Sequence, residues 1–320
     1  MDAEEGAHLS CLLKWKSWFR LHPTRLAIVF QPMFSTSSPP ISAPFAGELP
    51  AASPPPEMSL IQLPTGVTHR SAAFGYRGGS FFDRRDFSMT ALLVKHPKGD
   101  LLIDTGFGHH IDRQIRTMPL FFRAGISYQQ TRSASEQLDA AGYNRKDLRA
   151  ILLTHAHWDH VSGVPDFPET PVWVTREELR FIKDGGWLTA LIRSFPGVRY
   201  VEYGFEGGVY LGFPGSHDVY GDGAIVVVPA PGHTPGSVVV FLTLPSGKRY
   251  AMIGDIAWQL EGVIHRKERP WLQRTLGDWD PARVRDGLQH MAAIAERFPG
   301  IAIVPAHDSR CFEGIPKIEG

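Results

Sequence analysis

The sequence predicts an α/β fold, an αββα sandwich of two mixed β-sheets flanked by helices. Short apolar, β-branched runs alternate along the chain with segments of helical periodicity. Sheets with an apolar face and helices with an apolar stripe bury those surfaces best when they are stacked in layers. Residues 58–320 have a length suited to one such domain.

Seven strands are predicted from the apolar runs, because each run has a strand-like length and is followed by turn residues. They are Thr90–Lys95, Asp100–Asp104, Ala150–Thr154, Val172–Thr175, Ala224–Pro229, Ser237–Leu244 and Arg249–Gly254.

Three helices are predicted around these strands. The first begins at Ser133, where Glu136 has the spacing of an acid in the first turn, and it ends at Gly142. The other two are Thr175–Lys183 and Pro281–Phe298, and the last of these has apolar residues at helical spacing along one face.

Residues 1–57 differ in composition from the rest of the chain. Residues 35–57 are rich in Ser, Pro and Ala, which is typical of an extended linker. The apolar run at residues 26–30 is shorter than the core of an export signal. We therefore expect residues 1–57 to be a disordered extension of a cytoplasmic protein, with export left open.

The charge balance favours a small-molecule partner. Lys plus Arg and Asp plus Glu both total 33, so the overall charge gives no preference for nucleic acid or for an anionic membrane. No apolar run approaches the length of a transmembrane helix. The sequence leaves open whether the chain forms a homodimer.

The densest group of candidate metal ligands is the segment His155–His160, which follows an apolar run directly. Imidazole and carboxylate groups suit zinc and other first-row divalent ions. Alternate residues of an extended chain point to the same side, so His155 and His157 are expected to act together. Asp159 and His160 are then free to reach a second ion.

Three further candidates, His233, Asp255 and His307, lie at or just beyond the ends of other apolar runs. Buried strands that end in polar residues are the usual way in which α/β sheets build sites. We expect these strand ends to meet in one metal centre.

The combined pattern resembles the metallo-β-lactamase superfamily, whose signature is His-x-His-x-Asp-His with a later His, Asp and His. The resemblance covers roughly Ala91–Asp308 and includes two flanking motifs, Leu102–Gly106 and Pro231–Ser237. It implies the metallo-β-lactamase form of the αββα sandwich.

The resemblance also implies a dinuclear metal centre that takes zinc, or else manganese, cobalt or iron. One ion is expected on His155, His157 and His233, and the other on Asp159, His160 and His307, with Asp255 between them. A hydroxide that bridges the ions would attack the substrate, with Asp159 and Asp255 as catalytic residues and Asp159 as the proton carrier. Asp104 is expected to orient a ligand histidine.

Among the branches of the superfamily, the chain is most similar to N-acyl homoserine lactonases, which share the form Pro305–Asp308 around the last ligand. We expect a lactone or related ester with an apolar acyl or aryl part, contacted by Trp258 and Phe107. Lactonases of that branch commonly carry Tyr at the position of Trp258. Arylesterases and organophosphate hydrolases therefore remain alternatives.

Two other members of the superfamily are weaker alternatives. A glutathione thioester hydrolase resembling glyoxalase II would need a helical extension to hold glutathione, and little sequence follows His307. A persulfide dioxygenase with a single iron would use only part of the ligand set.

Overall fold

Two mixed β-sheets form the centre of the described chain, residues 48–319 of a computed structural model. The twelve strands of these residues are β1 Ser59–Ser71, β2 Arg84–Lys95, β3 Asp100–Ile103, β4 Gln129–Gln130, β5 Leu148–Leu152, β6 Val172–Thr175, β7 Tyr200–Tyr203, β8 His217–Asp218, β9 Ile225–Pro229, β10 Val238–Thr243, β11 Arg249–Met252 and β12 Ile301–Val304. The first sheet has the order β4-β1-β2-β3-β5-β6-β7 and the second the order β12-β11-β10-β9-β8. Each sheet contains parallel and antiparallel pairs, as predicted.

Helices connect and cover these strands. Those of the described residues are α1 Ala72–Gly75, α2 Ile111–Gln114, α3 Leu120–Gly125, α4 Ala134–Ala140, α5 Trp158–Val161, α6 Arg176–Asp184, α7 Ala190–Arg193, α8 Leu260–Ile264, α9 Trp271–Gly277 and α10 Pro281–Arg297. The three predicted helices are confirmed as α4, α6 and α10. The capping box of Ser133 and Glu136 is present at the start of α4. Within residues 48–319, every helix is too short or too polar to cross a membrane.

Apolar side chains fill three layers of the sandwich. Between the sheets, Leu101 and Leu152 of the first sheet share a buried cluster with Val240 of the second. On the outer faces, Leu138 of α4 packs in the cluster of the first sheet, and Met291 of α10 packs in that of the second. The αββα architecture is therefore confirmed, with an apolar cluster between the two sheets and one on each outer face.

All seven predicted strands are present, Val172–Thr175 with the predicted bounds and the other six with shifted ends, but the long first strand is not predicted. Pro64 and Gly66 interrupt its apolar pattern, and a bulge lies between them. A Cβ atom at Gly66 would lie 2.5 Å from the ring of Phe107, so this position requires the absence of a side chain. This strand forms because it packs closely against the loops that follow, a contact that the apolar pattern of the sequence does not indicate.

Part of the predicted linker contacts the domain that follows it, at residues 49–53. Leu49 packs against the second sheet, and the backbone N–H of Ser53 donates to the carbonyl of Asp222 at 2.7 Å. The carbonyl of Pro50 accepts a hydrogen bond from Arg249 at 2.9 Å. Proline needs no partner for a backbone N–H, which suits this segment to a sheet surface. The expectations for residues 1–47 lie outside the described residues.

Candidate metal centre

The predicted ligands lie where strands of both sheets end. The segment His155–His160 follows β5 and runs into α5, and His233 follows β9. Asp255 lies in a short turn after β11, and His307 follows β12. Because β5, β9, β11 and β12 all end at the same edge of the sandwich, the fold brings residues far apart in sequence into one site.

The seven side chains form overlapping groups of potential ligands. In each group, the nitrogen and oxygen atoms lie within 4.8 Å of one another. The groups are His155, His157 and His233; His155, His160 and Asp255; and Asp159, His160 and His307. The first and third coincide with the two ligand sets expected from the sequence.

Asp255 lies between these two sets. Its Oδ1 atom is 3.1 Å from Nε2 of His307 and 3.4 Å from Nε2 of His160. Its Oδ2 atom is 3.2 Å from Nε2 of His233. One carboxylate oxygen thus faces each set, which is the geometry that a bridging ligand requires.

Unpaired polar atoms at the centre fit divalent cations. Nε2 of His155, His157 and His160 and Oδ1 of Asp255 are buried without a hydrogen-bond partner. In addition, Nδ1 of His157 lies 2.8 Å from Nε2 of His233. Burial of unpaired polar atoms costs free energy, and a cation held by their lone pairs would remove that cost.

The protonation states of the ligands also suit a cation. Burial, together with neighbouring histidines, lowers the pKa of His155 and of His157 well below the usual value, so both rings keep free lone pairs at neutral pH. Burial opposes ionisation of Asp255, but His307 and His233 outweigh it and hold the pKa of Asp255 well below its usual value. The neutral imidazoles of His155 and His157, together with the ionised carboxylate of Asp255, are ligand forms that zinc binds.

Asp104 contacts His160, one of the candidate ligand histidines. Its Oδ2 atom lies 2.7 Å from Nδ1 of His160 and accepts a hydrogen bond from Oγ1 of Thr154, while its Oδ1 atom accepts from the Thr154 N–H. Although burial lowers the pKa of His160, the charge and hydrogen bond of Asp104 raise it well above the usual value. Asp104 has a φ of 52°, a strained conformation that Asp tolerates better than most residues.

Comparison with known proteins agrees with this geometry. A model of the metallo-β-lactamase superfamily matches residues 84–297. The chain belongs to the metallo-β-lactamase superfamily.

Similar proteins include other members of this superfamily. A probable metallo-hydrolase of Mycobacterium tuberculosis is 30% identical over 243 residues, which are 69% of this chain and 75% of the relative. The N-acyl homoserine lactonase AttM of Azorhizobium caulinodans is 25% identical over 239 residues, 71% of this chain and 84% of the relative. The solved structure of AidC, a dizinc quorum-quenching lactonase in complex with the product N-hexanoyl-L-homoserine, has a TM-score of 0.55 and 20% identity over 79% of this chain and 88% of AidC.

The sequence did not reveal a buried ion pair beside the metallo-β-lactamase ligands. Asp278 lies 2.8 Å from Nδ1 of His233 and accepts a hydrogen bond from Arg269. Arg269 also donates to the carbonyl of Asp255 at 2.6 Å, and its guanidinium lies 4.8 Å from the ring centre of Trp258. This pair fixes the ring of His233 and the backbone of Asp255 together. Neither residue belongs to a local motif, and only the fold brings them together.

Trp258 and Phe107, the predicted substrate contacts, occupy different positions. The indole N–H of Trp258 donates to Oδ2 of Asp255 at 2.7 Å, so Trp258 borders the metal centre. Phe107 is fully buried, and its ring packs against Trp158 and Tyr128. The expected contact between Phe107 and substrate therefore has no support in this structure, because close packing over Gly66 draws the ring into the core.

Glu178 connects two ligand loops and was also missed. Its carboxylate accepts hydrogen bonds from the N–H of Ala156 at 2.6 Å, from Oγ1 of Thr234 at 2.6 Å and from the N–H of Gly236 at 3.0 Å. Burial raises the pKa of Glu178 to about 7, although these three hydrogen bonds lower it. Its position three residues after Thr175, the N-cap of α6, was the available sequence signal.

We expect the Glu178→Ala substitution to destabilise the fold, because three buried donors would lose their acceptor. At about 1–3 kcal/mol for each, the free energy of unfolding of the metal-free protein should fall by about 3 kcal/mol or more. Urea denaturation measures this change. The adjacent, exposed Glu177→Ala variant is the control and should change by less than about 0.5 kcal/mol. Equal stability of the two variants would contradict the role of Glu178.

We expect the Asp278→Asn substitution to weaken metal binding by about 10–100-fold, because an amide keeps the shape of the carboxylate but loses the charge that holds His233 and Arg269. Competition with a fluorescent chelator gives the metal dissociation constants. Asp286→Asn, an exposed change on α10, is the control. If all three proteins bound metal equally, Asp278 would have no part in the site.

Proposed function

We propose that this metallo-hydrolase opens the ring of a lactone, or cleaves a closely related ester, that carries an apolar acyl chain. The observation that carries the proposal is the position of Asp255 between two sets of metal ligands. Lactonase AttM and the dizinc lactonase AidC, both of similar sequence or fold, support the lactone as the substrate.

The ligand set favours two divalent cations, with zinc as the first choice. When bound, such ions lower the pKa of a coordinated water to about 7 and polarise an ester carbonyl. The residues of the chain hold the metal ligands in place and transfer a proton to the leaving group. Asp159 is the one member of its ligand group that is not fully buried, and its Oδ2 atom is 3.5 Å from Nε2 of His307. We infer that Asp159 passes a proton to the leaving alkoxide.

Aromatic side chains beside the ligand loop support an apolar substrate. The rings of Phe122 and Trp158 lie 5.7 Å apart, and the ring of Phe121 lies 5.5 Å from that of Trp187. Trp158 stands between two ligands in the sequence, so this wall begins next to the metal centre. An apolar wall beside a polar reacting centre is typical of sites that bind acyl chains.

Trp258 has a role in this proposal that differs from that of the tyrosine it replaces. Its indole N–H is bonded to Asp255 rather than free to meet a substrate carbonyl. Stacking on Phe74, with ring centres 5.4 Å apart, fixes the indole plane. We infer that Trp258 holds the bridging carboxylate in place.

Hydrolysis of a matched substrate panel tests the proposal. Metal-loaded protein should release protons from N-acyl homoserine lactones with short and long chains faster than from aryl esters or from a phosphotriester. Removal of metal by chelation should abolish the activity, and added zinc should restore it. Preference for aryl esters or for the phosphotriester, with lactones untouched, would refute the lactonase proposal.

The Asp255→Asn substitution tests the bridging role. We expect the metal content to fall from two ions per chain towards one and kcat to fall by about 100-fold or more, because a neutral amide is a poor bridge between cations. Elemental analysis and turnover numbers measure the two effects. Asp286→Asn again serves as the control. Unchanged metal content and turnover would eliminate the two-metal model.

A further inference from the structure

Three segments surround the metal centre and form what we call the rim: residues 77–84, 111–125 and 271–277. The first follows Phe74, whose ring stacks on Trp258. The second contains Phe122, whose ring contacts Trp158. In the third, a Cβ atom at Gly277 would lie 3.8 Å from the ring of His233. The second and third segments thus lie against Trp158 and His233, and the first begins three residues after Phe74.

Contacts also link the rim segments to the chain around them. The N–H of Arg77 donates to the carbonyl of Glu268 at 2.9 Å, and Arg274 of the third segment donates to the Glu268 side chain, also at 2.9 Å. Arg70, which precedes the first segment, donates to the carbonyl of Gly125 in the second at 3.0 Å. Glu268 therefore links the first and third segments, and Arg70 links the strand before the first segment to the second.

Large apolar side chains are concentrated on the rim. Of the eleven exposed large hydrophobic residues in the described chain, seven belong to it. Phe82 is 95% exposed, Phe81 80%, Leu120 76% and Trp271 69%. Monomeric proteins rarely group so many exposed apolar side chains without a partner.

The rim is also basic, although the whole chain has no net charge. It contains six arginines and two aspartates, against 33 basic and 33 acidic residues in the chain. Arg84, Arg113, Arg116 and Arg123 are exposed, and within the described residues none of them has a carboxylate oxygen within 4.0 Å. Arg77 and Arg274 pair with Glu268 outside the rim, so the excess positive charge of the rim lies on these four exposed arginines.

We propose that the rim docks onto an anionic lipid surface, so that the metal centre opens towards the membrane. Aromatic and leucine side chains enter the boundary between head groups and acyl chains, and arginines pair with lipid phosphates. A second copy of the chain is a poorer partner, because a symmetric contact would place two basic rims against each other. The proposal goes beyond the hydrolytic function and does not depend on it.

Co-sedimentation of the full chain with lipid vesicles tests the docking. One set of vesicles contains phosphatidylcholine with phosphatidylglycerol, and the other contains phosphatidylcholine alone. We expect clear binding to the anionic vesicles, weaker binding to the neutral ones, and a decrease of the first with added salt. Absence of binding to anionic vesicles would overturn the proposal.

Paired variants locate the binding on the rim. The double variant Phe81→Ser/Phe82→Ser should lower the partition coefficient at least 10-fold. Arg113→Gln/Arg116→Gln should lower it about fivefold per arginine on anionic vesicles only. The matched controls are Val209→Ser, at a position that is 69% exposed outside the rim, and Lys248→Gln in the β10–β11 turn.

The remaining outcomes decide between occupants of the rim. Equal partition of rim variants and controls would overturn the proposal. If light scattering showed that the native protein is a dimer and that Phe81→Ser/Phe82→Ser is a monomer, the rim would be an interface between copies, which also overturns it. Circular dichroism checks that the variants are folded. Because none of these measurements uses hydrolysis, failure of the docking and failure of the lactonase proposal are distinguishable.

Discussion

The burial of many lone pairs at one edge of the sandwich is the constraint on which the rest of the structure depends. Buried imidazole and carboxylate atoms that have no hydrogen-bond partner are unfavourable in an apolar interior. Contacts on the side away from the centre restrain several of these ligands. Asp104 holds His160, and the carbonyl of Ser88 lies 2.9 Å from Nδ1 of His307. These outer contacts leave the opposite ring nitrogen of each histidine facing the centre, where it can coordinate a cation.

Charge balance leads to the same conclusion as hydrogen bonding. Three carboxylates, Asp104, Asp255 and Asp278, are buried around the centre, and Arg269 is the buried guanidinium among them. A buried negative charge that exceeds its positive partners is costly unless further cations neutralise it. Arg269 contacts Asp278 and the backbone of Asp255 and so offsets part of the excess. Cations held by the ligand set would offset the charge of these carboxylates further.

The sequence predicted the site better than it predicted what supports the site. His155–His160 and the three later ligands could be found because they follow strands at recognisable positions. Glu178 escaped notice because its partners, Ala156 and Gly236, belong to two loops far from it in sequence. The sequence predicts that Phe107 contacts the substrate, but packing against Gly66 of β1 buries its ring. Contacts between distant segments leave no periodic pattern, so only the fold reveals them.

The metal ligands and the rim residues leave the same edge of the sandwich but belong to different elements, so substitutions on the rim need not move the ligands. The ligands follow rigid strands of a buried core, so their positions depend on packing that reaches through the whole sandwich. The rim segments leave the same edge as loops and short helices, where side chains are exposed and changes cost little stability. A chain with no net charge can therefore carry a local concentration of arginines and aromatic residues around its site without displacing the metal ligands. The candidate metal ligands thus follow the strands, and the most exposed apolar side chains lie on the loops and short helices.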